Sequence, residues 1–573
     1  MMKLSRGWLP PTSQHRPHNR LRGLVAGIAA AAAASLALAG HGAQAASAQP
    51  TARTAAALTS APAPTATDCT ALAGSLHLAN TVVDGAQANT SGSFTIPPTQ
   101  PSAGRTISGL PPFCDVTLTE TNPPATDEVN IEVWLPLQGW TGKFQGVGGG
   151  GYSCGISYSA MAPALQGGYA TASTDCGHTP AQDNGSFALN ANGTLNWPLI
   201  VDFAYRGMHE MTVDGKAAVS ALYGSAAAYS YFNGCSTGGR EGLMEAQRYP
   251  DDYNGILSGS PAINWDKFMI AQIWAEFAME QLNDYVPQCK LNAFRQAAIT
   301  DCETEHGVNY GEIMNPADCR FNPYSLVGTS TPCGTITQTD AEVVAEILRG
   351  ETTNFPNGKF LWYGLEPGTD FSGLANTVTT NGVTTPAPFP ITVEWFQYWL
   401  TQNPNFDWQT ITIKQLDKFF VQSETEFALI ETDNPNLTPF EKAGGKILVW
   451  TGLADQLIYP QGAIQYYDNV VNRTGGLSKT QSFARLFLAP GNGHCGGDSV
   501  GPVATDQFAA LTNWVENGVA PSTLLATETN SSGAVTETRP LCAYPDGAVY
   551  NGTGDINEAA SFHCAPTFNG PGR

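Results

Sequence analysis

One serine in the sequence lies in a setting that favours nucleophilic chemistry. Ser236 is the centre of a G-x-S-x-G pattern; the apolar stretch AYSYFNG (228–234) leads into it and the helix-like stretch GREGLMEAQRY (239–249) follows. A strand, a tight turn and a helix in this order lift a serine hydroxyl above a sheet. Ser499 has the same pattern, but it follows a glycine-rich loop and precedes Pro502 closely, so we interpret it as a loop residue.

A base and an acid follow Ser236 in the order that α/β-hydrolases use, which is serine, acid, histidine. A serine hydroxyl is a weak nucleophile at neutral pH and needs a base that a carboxylate orients. His494 lies in a glycine-flanked loop after ARLFLAP (484–490), and Asp455 follows KILVWTGL (446–453). We predict that Ser236, Asp455 and His494 form a catalytic triad for acyl transfer. The alternative for Asp455 is a residue that only caps a turn.

An oxyanion formed at such a serine needs two backbone N–H donors. Thr237, the residue after the proposed nucleophile, should supply one of them. The other should come from the glycine run 148–151, because glycine lets the backbone approach a substrate closely. The sequence does not choose between Gly149 and Gly150, and a plain flexible turn is the alternative for the whole run.

The cysteines beside the proposed triad provide an independent indication. Cys235 precedes Ser236 and Cys495 follows His494. If the serine and the histidine approach hydrogen-bond distance, their neighbours come near the Cα separation of about 5.5 Å that a disulfide needs. We therefore predict a Cys235–Cys495 disulfide that clamps the two loops together, the alternative being that each cysteine pairs elsewhere.

The remaining cysteines and the N-terminus indicate export. Residues 1–45 combine a basic leader, an Ala/Leu-rich stretch and a small-x-small signal at Ala43–Ala45, so we predict a cleaved signal peptide and a secreted, extracellular protein with no membrane segment after cleavage. An uncleaved anchor is the alternative. All twelve cysteines follow this segment, and an even number in an exported chain indicates up to six disulfides. No C-x-x-C pattern is present, so we predict no thiolate metal site.

Composition limits the remaining function classes. Hydrophobic residues make up 42% of the chain, which is enough for a large core. A formal net charge of −22 repels phosphate backbones, so we expect no nucleic-acid partner.

Alternating strand-like and helix-like stretches predict the fold. They indicate the α/β class, with a mostly parallel sheet covered on both faces. We predict an Ala/Thr/Pro-rich flexible leader at 46–67, a catalytic domain formed by 68–261 and 439–573, and an aromatic-rich lid domain at 262–438. An insert at such a position commonly covers the ligand crevice at the carboxyl ends of the strands.

Six stretches of the sequence resemble the tannase/feruloyl esterase family of secreted serine esterases. They are KFQGVGGGGY (143–152), STDCGHT (173–179), YFNGCSTGGREGLMEAQRYPDDYNGILSGSPA (231–262), KILVWTGLADQLIYP (446–460), APGNGHCGGD (489–498) and TRPLCAYPDGAVYNGTGDINEAASFHC (538–564). The resemblance extends over about residues 70–565. It implies an α/β-hydrolase core with a large inserted lid, the triad Ser236, Asp455 and His494, and the Cys235–Cys495 clamp.

The resemblance also bears on the other cysteines and on a metal. It suggests the disulfides Cys69–Cys114, Cys302–Cys319 and Cys542–Cys564, and elimination then pairs Cys154 with Cys176 and Cys289 with Cys333. Members of the family usually hold calcium in the lid. In the corresponding segment, Cys302–Ile313, three aspartate positions are occupied by Glu303, His306 and Tyr310. Because calcium binds six to eight oxygens, we predict no metal and no other cofactor, although Glu303, Glu305 and Glu312 could form an altered site.

Substrate choice is the least determined feature. The family implies hydroxycinnamoyl esters of plant cell-wall sugars, galloyl esters or terephthalate monoesters. The insertion offers Lys359, Lys414 and Lys418 but no Arg between 350 and 472, which disfavours a free terephthalate carboxylate. We favour a feruloyl esterase whose aromatic ester substrate is attached to plant polysaccharide, with a tannase as the alternative. A non-catalytic phenolic- or carbohydrate-binding protein and a peptidase are alternatives of other classes.

The insertion also holds many aromatic side chains on which an aromatic acyl group could stack. For any one of them, a place in the lid core is the more common role. They are Trp362, Trp395, Phe396, Tyr398, Trp399, Phe406, Trp408, Phe419 and Phe420.

Overall fold

The computed structural model describes residues 63–100, 103–305 and 307–570. The predicted signal peptide, 1–45, and most of the predicted leader, 46–67, lie outside the described residues. The first helix begins at Ala66, inside the predicted leader. A capping box formed by Thr65 and Asp68 satisfies the first backbone N–H groups of this helix and explains why it begins there.

A nine-stranded sheet forms the centre of the fold. Its strands, numbered here β1–β9 in chain order, are Thr81–Asn89, Phe113–Thr121, Glu128–Pro136, Lys143–Val147, Ala170–Thr174, Tyr229–Cys235, Gly255–Gly259, Lys446–Gly452 and Ala484–Ala489. Their order in space is β1-β2-β3-β5-β4-β6-β7-β8-β9. The strands β4 to β9 run parallel, and β1, β2 and β3 pair antiparallel with their neighbours. The predicted α/β class with a mostly parallel sheet is confirmed.

Helices flank this sheet and fill the insertion. The α-helices α1–α15 are Ala66–Ser75, Tyr158–Gln166, Trp197–Val201, Gly207–Tyr223, Thr237–Arg248, Trp265–Ala271, Trp274–Leu282, Gln288–Cys302, Gln338–Arg349, Pro390–Glu394, Ile413–Glu426, Thr438–Ala443, Pro460–Thr474, Leu477–Thr480 and Gln507–Asn517. The chain also forms π-helical turns at Asp202–Arg206 and Trp395–Leu400.

Short strands pair outside the central sheet. Two-stranded pairs join Ser93–Thr95 with Thr106–Ser108, Thr304–Glu305 with Val308–Asn309, Ser330–Thr331 with Gly334–Thr335, Thr377–Thr380 with Val383–Pro386, and Asp546–Tyr550 with Phe562–Pro566. A three-stranded sheet joins Val503–Ala504, Thr523–Thr529 and Val535–Cys542.

Both faces of the central sheet are covered. Successive side chains of a strand point to opposite faces, and on β6 Phe232 joins the core that contains Leu243 of α5, whereas Tyr231 joins the core that contains Leu511 of α15. Because alternate side chains pack into different cores on the two faces, the parallel strands have uninterrupted apolar runs.

The insertion predicted at 262–438 contributes no strand to the central sheet among the described residues, because β7 ends at Gly259 and the next sheet strand, β8, begins at Lys446. Its aromatic residues Trp395, Phe396 and Trp399 are fully buried. They belong to the same hydrophobic core as Phe232 and Leu243. The described residues form one compact unit. The boundaries of a separate lid domain stay a prediction.

No helix in the described ranges has the length and apolar character needed to cross a membrane.

Several carboxyl groups are buried in this fold, and burial disfavours their charged form. Burial raises the pKa of Glu276 and Glu312 to about 8 and the pKa of Glu241 to about 7. Arg539 opposes this shift at Glu312, and Arg240 opposes it at Glu241. These groups bind protons in the folded protein at pH values where they are ionised in the unfolded chain.

We predict that the free energy of unfolding falls as the pH rises from about 5 to about 8. A carboxyl group whose pKa is raised on folding binds more protons in the folded state across this window, so its stabilising contribution is present at low pH and is lost as the pH passes the folded pKa. His178, whose pKa burial lowers to about 4, gives the opposite slope below pH 6.5, but the raised carboxyl groups outnumber it.

Melting temperatures across this range at constant ionic strength would measure the effect. The Glu276→Gln variant, which removes one buried carboxylate without changing its shape, should flatten the profile. A melting temperature that rises steadily from pH 5 to pH 8 would contradict the prediction.

Candidate active site

Ser236 lies at a sharp turn between β6 and α5. Its backbone has φ 62° and ψ −124°, a conformation that side-chain-bearing residues rarely adopt. Three backbone hydrogen bonds hold it: the Ser236 N–H donates to the carbonyl of Gly259, and its carbonyl accepts from the N–H groups of Arg240 and Ala262, each at 3.0 Å. Strain that the surroundings maintain in this way is typical of functional turns.

Glycines beneath this turn are required by close backbone contact. A Cβ atom on Gly234 would lie 2.5 Å from the backbone of Gly238, and one on Gly148 would lie 2.5 Å from the Cα atom of Gly238. The Gly238 N–H also donates to the carbonyl of Gly149 at 3.0 Å. The nucleophile turn and the glycine run 148–151 therefore pack directly against each other.

Asp455 and His494 form a hydrogen-bonded pair. The His494 Nδ1 atom lies 2.9 Å from Asp455 Oδ2 and 3.1 Å from Oδ1. Asp455 is fully buried, and its Oδ1 also accepts the N–H groups of Leu457 at 2.9 Å and Ile458 at 2.8 Å. A carboxylate at Nδ1 selects the tautomer that leaves Nε2 as a proton acceptor.

Gln456 fixes the backbone of the histidine loop, a role that the sequence did not indicate. Its Oε1 accepts the His494 N–H at 2.9 Å, and its Nε2 donates to Asp498 Oδ2 at 3.2 Å. Ser499 supports the same loop, because its hydroxyl accepts the Gly493 N–H at 3.3 Å. The one sequence feature that points to this role is that Gln456 directly follows the proposed catalytic Asp455.

A disulfide joins Cys235 to Cys495, with a Cα–Cα separation of 6.0 Å across 260 residues of sequence. It links the residue before Ser236 to the residue after His494. Five further disulfides join Cys69–Cys114, Cys154–Cys176, Cys289–Cys333, Cys302–Cys319 and Cys542–Cys564. This number of disulfides is typical of proteins that fold in an oxidising compartment.

Ser236, Thr237 and His494 line one cavity of about 380 Å³. No Asp, Glu, Lys or Arg side chain of the described residues lines it, and Gln272 is a polar side chain in a mostly apolar wall. The apolar wall consists of Trp265, Phe268, Met269, Phe389, Ile391, Leu457 and Ile458.

None of the nine aromatic side chains that the sequence singled out in the insertion lines this cavity. The aromatic residues that do so are Trp265, Phe268 and Phe389, which the sequence did not single out.

The two glycines predicted as candidates for the second oxyanion donor both donate their N–H groups to other acceptors in this structure. The Gly149 N–H donates to Glu241 Oε2 at 3.1 Å, and the Gly150 N–H donates to the carbonyl of Ser153 at 2.8 Å. Both groups are therefore engaged. The N–H groups of Thr237 and Gly151 donate no hydrogen bond within the part of the chain that the structure describes. The Thr237 hydroxyl donates to the Gly151 carbonyl at 2.6 Å, which holds these two residues side by side.

The contacts of the segment Cys302–Ile313, in the predicted lid, do not fit a calcium ion. Arg539 brings a positive charge into the segment: its Nη1 lies 3.0 Å from Glu312 Oε1, and its guanidinium lies 5.5 Å from the centre of the Tyr310 ring. The Glu303 carboxylate accepts the Asn309 amide at 2.9 Å. His306 lies outside the described residues.

Comparisons with known proteins agree with this geometry. Residues 114–565 match the family model described as tannase and feruloyl esterase. The chain belongs to the tannase and feruloyl esterase family. It is therefore a carboxylic ester hydrolase, as the sequence predicted.

Two kinds of relative are found in this family. The chain is 43% identical to a probable feruloyl esterase of Arthroderma benhamiae, over 82% of this chain and 88% of that protein. Its fold is similar to that of feruloyl esterase B from Aspergillus oryzae (27% identity, TM-score 0.76, covering 87% of this chain and 100% of that one). It is equally similar to that of a tannin acyl hydrolase from Aspergillus niger (25% identity, TM-score 0.77, covering 88% and 95%).

Replacing Gln456 by Ala should lower kcat on a small ester by about tenfold with little change in KM, because a misplaced catalytic group slows the reaction without removing substrate contacts. Gln456→Glu, which keeps an acceptor for the His494 N–H, should retain more activity and shift the pH profile of kcat. Steady-state kinetics from pH 5 to pH 9 would measure both. Equal losses in the two variants would argue against a role through the His494 backbone.

Removing the clamp in the double variant Cys235→Ser/Cys495→Ser should reduce activity at temperatures where the protein is still folded. The matched control is Cys542→Ser/Cys564→Ser, which opens a disulfide in the C-terminal region whose cysteines do not line the active-site cavity. We expect the control to lose melting temperature but to keep the kcat of its folded fraction. Parallel loss of kcat in the two double variants would rule out a specific clamp.

Proposed function

We propose that the chain is a secreted feruloyl esterase, which hydrolyses hydroxycinnamoyl esters of plant cell-wall material through an acyl-enzyme. The observation that carries the proposal is the convergence of three distant segments. The turn at Ser236 and the Asp455–His494 pair reach one cavity, and the Cys235–Cys495 disulfide joins their flanks.

In the proposed mechanism, Ser236 attacks the ester carbonyl while His494 Nε2 accepts the hydroxyl proton. Asp455 orients the imidazole and stabilises its protonated form. The N–H groups of Thr237 and Gly151 stabilise the oxyanion, since they have no other acceptor among the described residues. His494 then protonates the leaving alcohol. In the second half of the reaction, water attacks the acyl-enzyme carbonyl while His494 accepts its proton, and the carboxylic acid leaves as His494 returns that proton to Ser236.

The wall of the cavity supports a hydroxycinnamoyl acyl group. An aromatic ring with an apolar methoxy group can pack against Trp265, Phe268 and Phe389. A galloyl ring presents three hydroxyl groups, two more than a feruloyl ring, and each requires a hydrogen-bond partner when buried. Gln272 is already committed at both ends: its Nε2 donates to the Leu457 carbonyl at 2.8 Å, and its Oε1 accepts the Thr392 hydroxyl at 2.7 Å.

The same wall disfavours a terephthalate monoester. The free carboxylate of that substrate would be buried without a cation, because Lys359, Lys414 and Lys418 do not line the cavity. The similarity of the fold to both a feruloyl esterase and a tannin acyl hydrolase does not discriminate between substrates, so the preference rests on the chemistry of this wall.

The attachment of the substrate to plant polysaccharide and the secretion of the protein are parts of the same proposal. The six disulfides support an extracellular location. The predicted signal peptide at 1–45 would direct export from the cell.

Initial rates of acid release from methyl ferulate, methyl gallate and a terephthalate monoester would test the substrate. We expect kcat/KM on methyl ferulate to exceed the other two by at least about tenfold, the discrimination that unpaired buried polar groups commonly produce. A preference for methyl gallate would assign the alternative tannase activity.

The Ser236→Ala variant tests the mechanism and should lower kcat by at least about 10⁴-fold without changing the fold. Ser499→Ala is the matched control, because Ser499 has the same G-x-S-x-G pattern but serves the histidine loop. Because its hydroxyl supports the loop that carries His494, its loss should lower kcat by no more than about tenfold, far less than the loss of a nucleophile. Comparable losses in both variants, with native circular dichroism spectra, would remove Ser236 as the nucleophile.

A further inference from the structure

A second cavity, of about 480 Å³, shares no lining residue with the active-site cavity. One wall is the helix α13, Pro460–Thr474. Tyr363 and Glu366 of the insertion lie opposite, and Tyr544 and Phe568 of the C-terminal region complete the lining. Its volume is in the range of small-molecule binding sites. We refer to it as the α13 groove.

Polar side chains follow one face of α13 along this groove. Gln461, Gln465 and Asn469 are spaced by four residues, so their side chains lie above one another on the helix. Gln465 and Asn469 are exposed, and their side-chain amides make no hydrogen bond within the described part of the chain. Each amide offers both donors and an acceptor.

Aromatic side chains lie on the side of the groove opposite α13. Tyr363 lines the groove, and the ring of Phe360 packs edge-on against it with centroids 5.1 Å apart. Phe360 is 56% exposed, although it is a large apolar side chain. Flat apolar faces next to free amides provide both kinds of contact that an amphipathic ligand uses.

The charge of the groove restricts the ligand further. Its charged lining side chains, among the described residues, are Glu366 and Asp468, both acidic. When these two carboxyl groups are ionised they repel an anionic ligand, whereas a neutral ligand meets no such opposition. The hydroxyl groups of a neutral ligand can pair with the exposed amides of Gln465 and Asn469.

We propose that the α13 groove binds a neutral sugar chain. Sugars present many hydroxyl donors and acceptors together with apolar faces, which matches the amides of Gln465 and Asn469 and the ring of Tyr363. The inference rests on the proposed function only in that the plant polysaccharide carrying the feruloyl group would be the sugar bound.

Isothermal titration calorimetry of the full protein with xylohexaose tests binding without any hydrolysis. Cellohexaose serves as a second neutral probe and a galacturonate hexamer as an anionic one. We expect measurable binding of at least one neutral hexamer and weaker binding of the galacturonate. The Asn469→Ala variant should weaken the binding by about fivefold, the effect of one lost hydrogen bond.

Asn472→Ala is the matched control, since Asn472 is exposed on the same helix but does not line the groove. All proteins should be produced without glycosylation, because Asn472 begins an Asn-Arg-Thr sequon. Tyr363→Ala should weaken binding more strongly. If it unfolds, Gln465→Ala replaces it, because that side chain is exposed and makes no contact that folding requires.

No heat from either neutral hexamer at millimolar concentration, or equal affinity of the Asn469→Ala and wild-type proteins, would overturn the proposal. Tighter binding of the galacturonate would also overturn it. Hydrolysis of methyl ferulate by the same variants separates this proposal from the proposed function. If the protein binds the sugar but does not hydrolyse methyl ferulate, the sugar site is supported and the esterase assignment fails. If it hydrolyses methyl ferulate but does not bind the sugar, the esterase assignment is supported and the sugar site fails.

Discussion

The strained backbone around the proposed triad is the constraint on which the rest of the structure depends. Ser236 has a positive φ, and so do Ser260, Cys495 and Asp498, all near the same cavity. Each such residue costs on the order of 1–3 kcal/mol unless its surroundings impose the conformation. Here they do: the Cys235–Cys495 disulfide joins two of the strained loops, Ser260 contacts the Cys495 N–H through its hydroxyl, and Gln456 bonds the His494 N–H. The loops are therefore held by covalent and polar contacts rather than by their own conformational preference.

The sequence predicted the elements that position the site because these depend on local pattern. The apolar runs before Ser236, Asp455 and His494 are β6, β8 and β9, and each proposed catalytic residue follows the carboxyl end of its strand. Parallel strands place their carboxyl ends on one edge of the sheet. The convergence of the three residues therefore follows once the strands are known, and the cysteines beside two of them add a second, independent signal.

The features that the sequence did not predict depend on contacts between distant segments. Gly149 looked like an oxyanion donor, but its N–H is occupied by Glu241, a residue of α5 that lies 92 positions later. A glycine is required there for another reason, because a Cβ on Gly149 would lie 2.1 Å from the Ser153 carbonyl oxygen. The acyl wall was missed because Trp265, Phe268 and Phe389 carry no pattern that distinguishes a cavity wall from a core. The choice between the two is made by packing alone.

Glu241 also shows how the buried charges of this protein relate to its chemistry. The carboxylate accepts the Gly149 N–H and lies beside the fully buried Arg240, whose guanidinium donates to the carbonyls of Phe203 and Ala204. Burial raises the pKa of Glu241 to about 7, and Arg240 and the Gly149 N–H oppose that rise. As the ionised form accepts the Gly149 N–H more strongly than the neutral form does, ionisation of Glu241 tightens the glycine run against α5. Ionisation also places a negative charge near the proposed oxyanion site, which opposes formation of the oxyanion. The rigidity of the glycine run and its electrostatic effect on catalysis thus change in opposite directions with pH, because both depend on the ionisation of Glu241.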